Sequence, residues 1–344
     1  MTAFLLILFM IAAAALSWWL LGFLSAWLEH RQIVDTPNER TVHQGSVPRG
    51  GGLVIVALLA VVLMGVAIAS ERYWVFGGFT LLLLAWSGLS WWDDNRGLSP
   101  RFRLVFQVLI AIATLIAFGY VNSIQLGTNN SLYLAEFGIV VTFIGLMWMT
   151  NLYNFMDGMD GLAASQAIIA GLTLGFWFWQ VGDLQLAFVS MLLAAIVYGF
   201  LLRNWHPAQI FLGDVGSIGL GAFFATLFIF ANTRYQLPII SFVLLFGVFV
   251  FDTSVTILHR MLKREKFWLP HSSHHYQRLS KLGVNHAQIV VLNAILMLCC
   301  AMLASWSLIE RDRIAVLIVI EFGLMFGYAV AVYILENNSK NKQI

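Results

Sequence analysis

Five aspartates stand beside glycines, asparagines and tryptophans where long apolar runs end: Asp93, Asp94, Asp157, Asp160 and Asp214. A carboxylate in or next to hydrocarbon is costly, so each is a functional candidate by default. The densest stretch reads Asn151-Leu-Tyr-Asn154-Phe-Met-Asp157-Gly-Met-Asp160-Gly-Leu. Acids three residues apart share a face if the turn is helical, and the glycines permit close backbone approach to a ligand. Asn151 and Asn154 have the chemistry to orient a carboxylate or to bind a base or sugar. The stretch lacks the length and terminal glutamate of a calcium-binding loop. A polar loop between two spans is its plain alternative.

Asp93-Asp94-Asn95-Arg96 follows Trp91-Trp92. An interfacial aromatic belt accounts for the tryptophans but not for paired acids. Adjacent helical side chains diverge by about 100°, so the two acids should address different partners. Gly213-Asp214 with Gly216-Ser217 marks a helix start, where free N–H groups favour anions; an N-cap role for Asp214 is the modest alternative. His271, His274 and His275 fall at i, i+3 and i+4, one face if helical. Zinc is conceivable there, yet the His-Glu-x-x-His pattern is absent, and neighbouring Arg278 and Lys281 favour a phosphate or sugar. Arg40-Thr-Val-His43 and Pro48-Arg49-Gly50-Gly51-Gly52 put glycine-rich backbone beside arginine, which suits phosphate; tight helix packing explains the glycines equally well. Carboxylates among histidines and arginines point to a divalent cation bridging to phosphate. With no cysteine near, hard Mg²⁺ or Mn²⁺ suits them better than zinc.

The elements that must hold these groups are membrane helices. The chain of 344 residues is 60% hydrophobic and 10% charged, against roughly 25% charged residues in soluble domains. Apolar runs long enough to span a bilayer lie near residues 3–28, 51–70, 74–92, 104–121, 137–150, 162–181, 184–202, 215–231, 237–258, 287–309 and 314–335, the fifth short and weak. The sequence therefore predicts an all-α polytopic membrane protein with about eleven spans, one domain over residues 1–344. The first run is too long, and lacks the basic flank, for a secretory signal. Cys299 and Cys300, adjacent within a span, imply no disulfide framework.

With alternating loops, fifteen of the nineteen Lys and Arg residues fall on one side and Arg72, Arg234, Arg311 and Arg313 on the other. The positive-inside rule makes the first side cytoplasmic, the N-terminus outside and the C-terminus inside. The cytoplasmic loops are then about 29–50, 93–103, 151–161, 203–214 and 259–286. They hold or adjoin all eight histidines and the five aspartates, with Asp252 near the cytoplasmic end of the ninth span. The chemistry expected is phosphoryl transfer at the cytoplasmic membrane surface.

Together these segments resemble the polyprenyl-phosphate N-acetylhexosamine-1-phosphate transferase family, which includes the MurNAc-pentapeptide translocase of peptidoglycan synthesis. The resemblance rests on Arg40-x-x-His43 with Gly50-Gly51-Gly52, on Asp93-Asp94, and on Asn151-x-x-Asn154-x-x-Asp157-Gly-x-Asp160-Gly-Leu. Asn204 ten residues before Asp214-x-Gly-Ser, and the His-rich loop, complete it in the family's order. It implies transfer of a sugar-1-phosphate from a UDP-N-acetylhexosamine to a polyprenyl (undecaprenyl) phosphate, releasing UMP, at a bacterial inner membrane, with Mg²⁺ as cofactor. By the same resemblance Asp214 is the principal metal ligand and Asp157 its partner, and Asp93 engages or deprotonates the lipid phosphate. Asp94, Asp157 and Asn204 support metal and diphosphate, and Asp160 touches the nucleotide side. His271, His274 and His275 meet the sugar-phosphate, while Arg40, His43, Asn151 and Asn154 bind substrate. The loop His271-Ser-Ser-His274-His275 departs from the common His-x-His-His form and looks more like the subgroup that starts O-antigen or related surface glycans than the peptidoglycan enzyme. A transporter would place its polar groups near the midplane, often in related halves; these gather at one face and no repeat is visible. No nucleic-acid partner is expected, and a homodimer is compatible with the chain.

Overall fold

The computed structural model describes residues 3–32, 34–35, 47–266 and 271–341; Arg40 and His43 lie outside the described residues. The chain enters through α1 (Ala3–His30). A two-residue ribbon of β1 (Val34–Asp35) and β2 (Val47–Pro48) then leads into α2 (Gly52–Ser70), α3 (Tyr73–Arg96) and α4 (Pro100–Phe118). A hairpin of β3 (Ser123–Gln125) and β4 (Ser131–Tyr133) precedes α5 (Phe137–Phe155), α6 (Leu162–Gln180), α7 (Leu184–Asn204) and α8 (Gly213–Tyr235). The remainder is α9 (Ile239–Leu245), α10 (Gly247–Leu262), α11 (His275–Lys281), α12 (His286–Ile309) and α13 (Ile314–Asn341). Among the described residues ten helices are long and apolar enough to cross a membrane, eleven if the bent pair α9–α10 is one span. The protein is thus all-α and multi-pass.

The centre of the bundle is α8, buried without a break from Val215 to Asn232. An apolar helix of this kind has neighbours on all sides, and small residues let them come close. Gly216 meets Gly52 of α2, Gly219 meets Ser87 of α3, and Gly221 meets Tyr153 and Met149 of α5. At the end of the bundle away from the aspartates, buried Asp183 caps α7 through Leu186 N–H (3.0 Å). It also pairs with Arg72 (2.9 Å) and accepts from the Tyr235 hydroxyl. That carboxylate fastens the turns before α3 and α7 to the end of α8.

Three sequence expectations change here. The ninth span is broken: α9 and α10 meet at an angle of 81°, and a Cβ at Gly247 would clash with the Glu321 carboxyl of α13. The fifth span is longer than its apolar run, because α5 continues to Phe155 and takes Asn151 and Asn154 into its last turns; at a mean hydropathy of 1.3 it remains the least apolar of the ten. The histidines do not form one helical face, since α11 starts at His275 with His274 as its N-cap, leaving His271 outside the helix.

Candidate active site

Glycine-rich backbone builds the floor of the site. Gly50 and Gly51 N–H both donate to the Phe211 carbonyl (3.1 and 2.8 Å), and Gly52 N–H donates to Leu212 (2.8 Å), while Phe211 N–H returns to Pro48 (2.8 Å). The phosphate-cradle reading of these glycines therefore gives way to the packing alternative: their N–H groups are spent on the carbonyls of Phe211 and Leu212, just before α8. The result is a fixed register that lays Arg49 over the first turn of α8, where it ion-pairs with Asp214 and lies 4.0 Å from Asp94. Asp214 is not the N-cap, a position held by Leu212. It sits one residue inside the helix, where a negative side chain is favoured by the helix dipole. Asn154 reaches it from α5, donating to Asp214 Oδ1 (3.1 Å) and to Ser217 Oγ (2.9 Å).

The paired acids of α3 diverge as their spacing requires. Gly97, in the left-handed region, ends the helix and turns Leu98 N–H back onto Asp93 Oδ1 (2.9 Å). Arg103 of α4 takes Asp93 Oδ2 (2.8 Å). Asp93 thus ties α3 to α4, and Asp94 is the member of the pair that faces Arg49 and Asp214.

Asp157 and Asp160 also part company, because residues 156–161 form an irregular turn and not a helix. Asp157, partly buried, faces Arg49 and Asp214. Burial drives its carboxyl well above the usual range, Arg49 opposes that, and the charges of Asp214 and Asp160 add to the rise. Asp160 is buried and accepts from the Ala208 N–H (3.2 Å), with His206 Nδ1 2.8 Å away. His286 completes an Asp-His-His group whose donor atoms lie within 4.8 Å of one another. Asn204 is buried with both ends of its amide engaged: Oδ1 accepts from Gly161 N–H (2.8 Å) and Nδ2 donates to Ile210 (2.9 Å). It braces two loops. Asn151 donates back to Met147 of its own helix (2.7 Å), leaving its carbonyl end available.

The His-rich segment is held by a residue without a role in the sequence reading. Asp252 of α10, 1% exposed, accepts from His275 N–H (3.1 Å), and the Nδ1 atoms of His274 and His275 lie 3.2 and 3.0 Å from its Oδ1. Thr256 Oγ1 donates to the same oxygen (3.1 Å). A buried acid in an apolar helix was the available signal. Because Nδ1 of each imidazole is engaged, Nε2 is the nitrogen each has left for another partner. Tyr276 donates to the Phe155 carbonyl (3.3 Å) and touches Gly158, carrying this segment against the Asp157 turn. Burial, with Asp252 and then Asp157, holds its phenol well above the usual range. His271 is held neutral: burial, helped by His274 and Arg260, lowers it to about 4.

Asp94, Asp157 and Asp214 therefore converge on Arg49 at the ends of α3, α5 and α8. Their charges act on one another and on that one arginine, and burial more than repulsion is what holds the Asp157 carboxyl high.

A family model described as glycosyl transferase family 4 matches residues 74–232, the segment carrying all three acids. A probable undecaprenyl-phosphate N-acetylglucosaminyl 1-phosphate transferase of Bacillus subtilis is 30% identical over 269 residues, covering 75% of this chain and 72% of the relative. The chain belongs to glycosyl transferase family 4. As a member of it, the protein is a transferase enzyme. Phospho-N-acetylmuramoyl-pentapeptide-transferases are similar too. That of Rubrobacter xylanophilus is 29% identical over 71% of this chain and 78% of its own length. One from Neisseria meningitidis is 26% identical over 75% and 78%.

Proposed function

We propose that the protein transfers an N-acetylhexosamine 1-phosphate from a UDP-sugar to undecaprenyl phosphate at the cytoplasmic face of a bacterial inner membrane, releasing UMP. The convergence of Asp94, Asp157 and Asp214 on Arg49, in a chain with this family membership, is the observation that carries the reading. An oxygen of the lipid phosphate attacks the β-phosphorus, the bond from that phosphorus to the bridging oxygen breaks, and the electron pair leaves with UMP. The acceptor's second pKa near ~6 makes it largely dianionic at neutral pH, so direct attack is favoured over a covalent aspartyl-phosphate. Catalysis then consists of positioning and charge neutralisation.

Asp214 and Asp157, with Asp94 beside them, would hold Mg²⁺, which when bound neutralises phosphate oxygens. Arg49 supplies a second positive charge to the same place. Asp93 is the residue assigned to the lipid phosphate by resemblance; its bonds to Arg103 and Leu98 N–H support a bracing role, and Asp94 is the better candidate for contact with the acceptor. Asp160, with His206, is proposed for the nucleotide side. The His segment, with Nδ1 atoms anchored on Asp252, would present Nε2 to the sugar-phosphate. The positive-inside asymmetry supports the cytoplasmic placement.

The proposed cellular role is the first membrane step of O-antigen or another surface glycan. The names of the Rubrobacter and Neisseria relatives support phospho-MurNAc-pentapeptide transfer as the second reading. Purified protein with undecaprenyl phosphate, Mg²⁺ and labelled UDP-sugars in turn (GlcNAc, GalNAc, FucNAc, QuiNAc and MurNAc-pentapeptide) should yield one labelled lipid and UMP, abolished by EDTA. Labelled lipid from the pentapeptide substrate alone would select the second reading. Sugar uptake into vesicles without any lipid product would refute both.

A further inference from the structure

A cavity of about 650 Å³ opens on the same face of the bundle, on the side of the His segment formed by α10, α11 and α13. Its polar rim carries Arg260, Lys263, Arg278, Lys281 and Lys340 against two carboxylates among the described residues, Glu265 and Glu336. Those carboxylates are committed: Glu265 to Arg260 (2.7 Å) and Glu336 to Arg278 through two bonds (2.8 and 2.5 Å). Lys281 donates to Ser272. Lys263 and Lys340 have no hydrogen bond or close ion pair among the described residues. The Nε of Arg260 is buried without a hydrogen-bond partner in them. Arg260 also lines the cavity, so its guanidinium charge, shared with Glu265, borders any anion bound there.

The remaining wall is apolar and faces outward from the bundle. Val255 of α10 and Ala329, Val330 and Tyr333 of α13 line it, and Tyr333 is 57% exposed. Exposed Leu258, Phe326 and Ile334 continue on the same two helices, so the cavity combines a cationic rim with an apolar path along membrane helices. A soluble phosphate would use the rim alone; an amphiphile with a phosphate head and acyl tails uses both surfaces.

We propose that this cavity is a binding site for the phosphate headgroup of an anionic membrane phospholipid, separate from the acidic cluster. His275 lines the cavity and is bonded to Asp252, which also holds His274. The lipid site and the His segment therefore share one anchored side chain.

The full-length protein would be placed in phosphatidylcholine nanodiscs carrying a few mole per cent of spin-labelled phosphatidylglycerol, or of spin-labelled phosphatidylcholine for comparison. Electron paramagnetic resonance reads the immobilised fraction. Wild type should immobilise the anionic lipid preferentially. Removal of two rim cations, at about fivefold each, should weaken Lys263→Gln/Lys340→Gln by about 25-fold. Arg96→Gln/Arg101→Gln, which removes the same charge from the same face outside the cavity, should bind as wild type. Equal immobilisation of both lipids, or equal losses in the two double variants, would overturn the proposal. Displacement of the labelled lipid by inorganic phosphate would overturn it in favour of a soluble anion. The lysines are exposed and make no hydrogen bond among the described residues, so folding should survive; Lys340→Gln alone should weaken binding about fivefold, and wild-type binding by it would overturn the proposal.

Discussion

Replacing Gly52 with alanine tests whether helix packing behind the acidic cluster sets its geometry. A Cβ at residue 52 would lie 2.3 Å from both Cα and N of Gly216 and 3.0 Å from the Leu212 carbonyl oxygen, where ordinary contact begins at 3.4 Å. Every one of these atoms is backbone, so no side chain can rotate away. The ends of α2 and α8 must separate by about 1 Å, the difference between the two distances. Gly52 is three residues from Arg49, and Gly216 is two from Asp214, so the separation is delivered directly to the Arg49–Asp214 pair. A misplacement of 1 Å at reacting groups can cost about 100-fold, and overpacking costs about 1–3 kcal/mol in stability. The expected result is therefore a folded protein with lowered thermal stability and a kcat for UDP-sugar-dependent lipid formation reduced by roughly two orders of magnitude. Gly65→Ala is the matched control: it lies in the same helix with nothing within 4 Å of the added Cβ. It should leave turnover unchanged and gain about 0.5–1 kcal/mol from the helical preference of alanine. A Gly52→Ala enzyme that folds and works within about twofold of wild type would refute the packing argument.

Asn204→Ala should cost about 2–4 kcal/mol, since it strands Gly161 N–H and the Ile210 carbonyl in a buried place; thermal unfolding in detergent reads this, and an unchanged midpoint with a raised KM would restore a substrate-contact role. Asp252→Ala should release residues 271–281, seen as faster amide hydrogen exchange there with α8 unaffected. Asp157→Asn should abolish transfer yet stabilise the metal-free protein at pH 7–8. The sign follows from the raised carboxyl: its penalty is absent below the unfolded value near ~3.9, grows as pH rises through the folded value, and persists above it. The Asn variant's advantage should therefore vanish as pH falls towards 4, and an advantage independent of pH would exclude this origin. His271, at about 4, should contribute no inflection to the pH–rate profile between pH 6 and 8, so His271→Gln should leave its shape unaltered.

Much was legible in the chain because the bilayer penalises polar groups so steeply. Long apolar runs announce helices, and acids that interrupt or end them must have a purpose. Asp94, Asp157 and Asp214 could be marked as candidates on those grounds alone, and the divergence of Asp93 from Asp94 follows from helical geometry. Contact was beyond it. Which acid of each pair faces the cluster depends on Gly97 turning the backbone onto Asp93 and on the irregular turn that points Asp160 at His206. Arg49 reads in the sequence as a cation suited to phosphate; that it lies over Asp214 follows only from the Phe211 and Leu212 carbonyls claiming the glycines beside it. Asp252 lies more than twenty residues from the imidazoles it holds, which follow the end of α10, and no spacing rule reaches across that separation. Local spacing and the cost of burying charge determine which side chains need partners; only the packing of helices through small residues, over long sequence separations, decides which partners they receive.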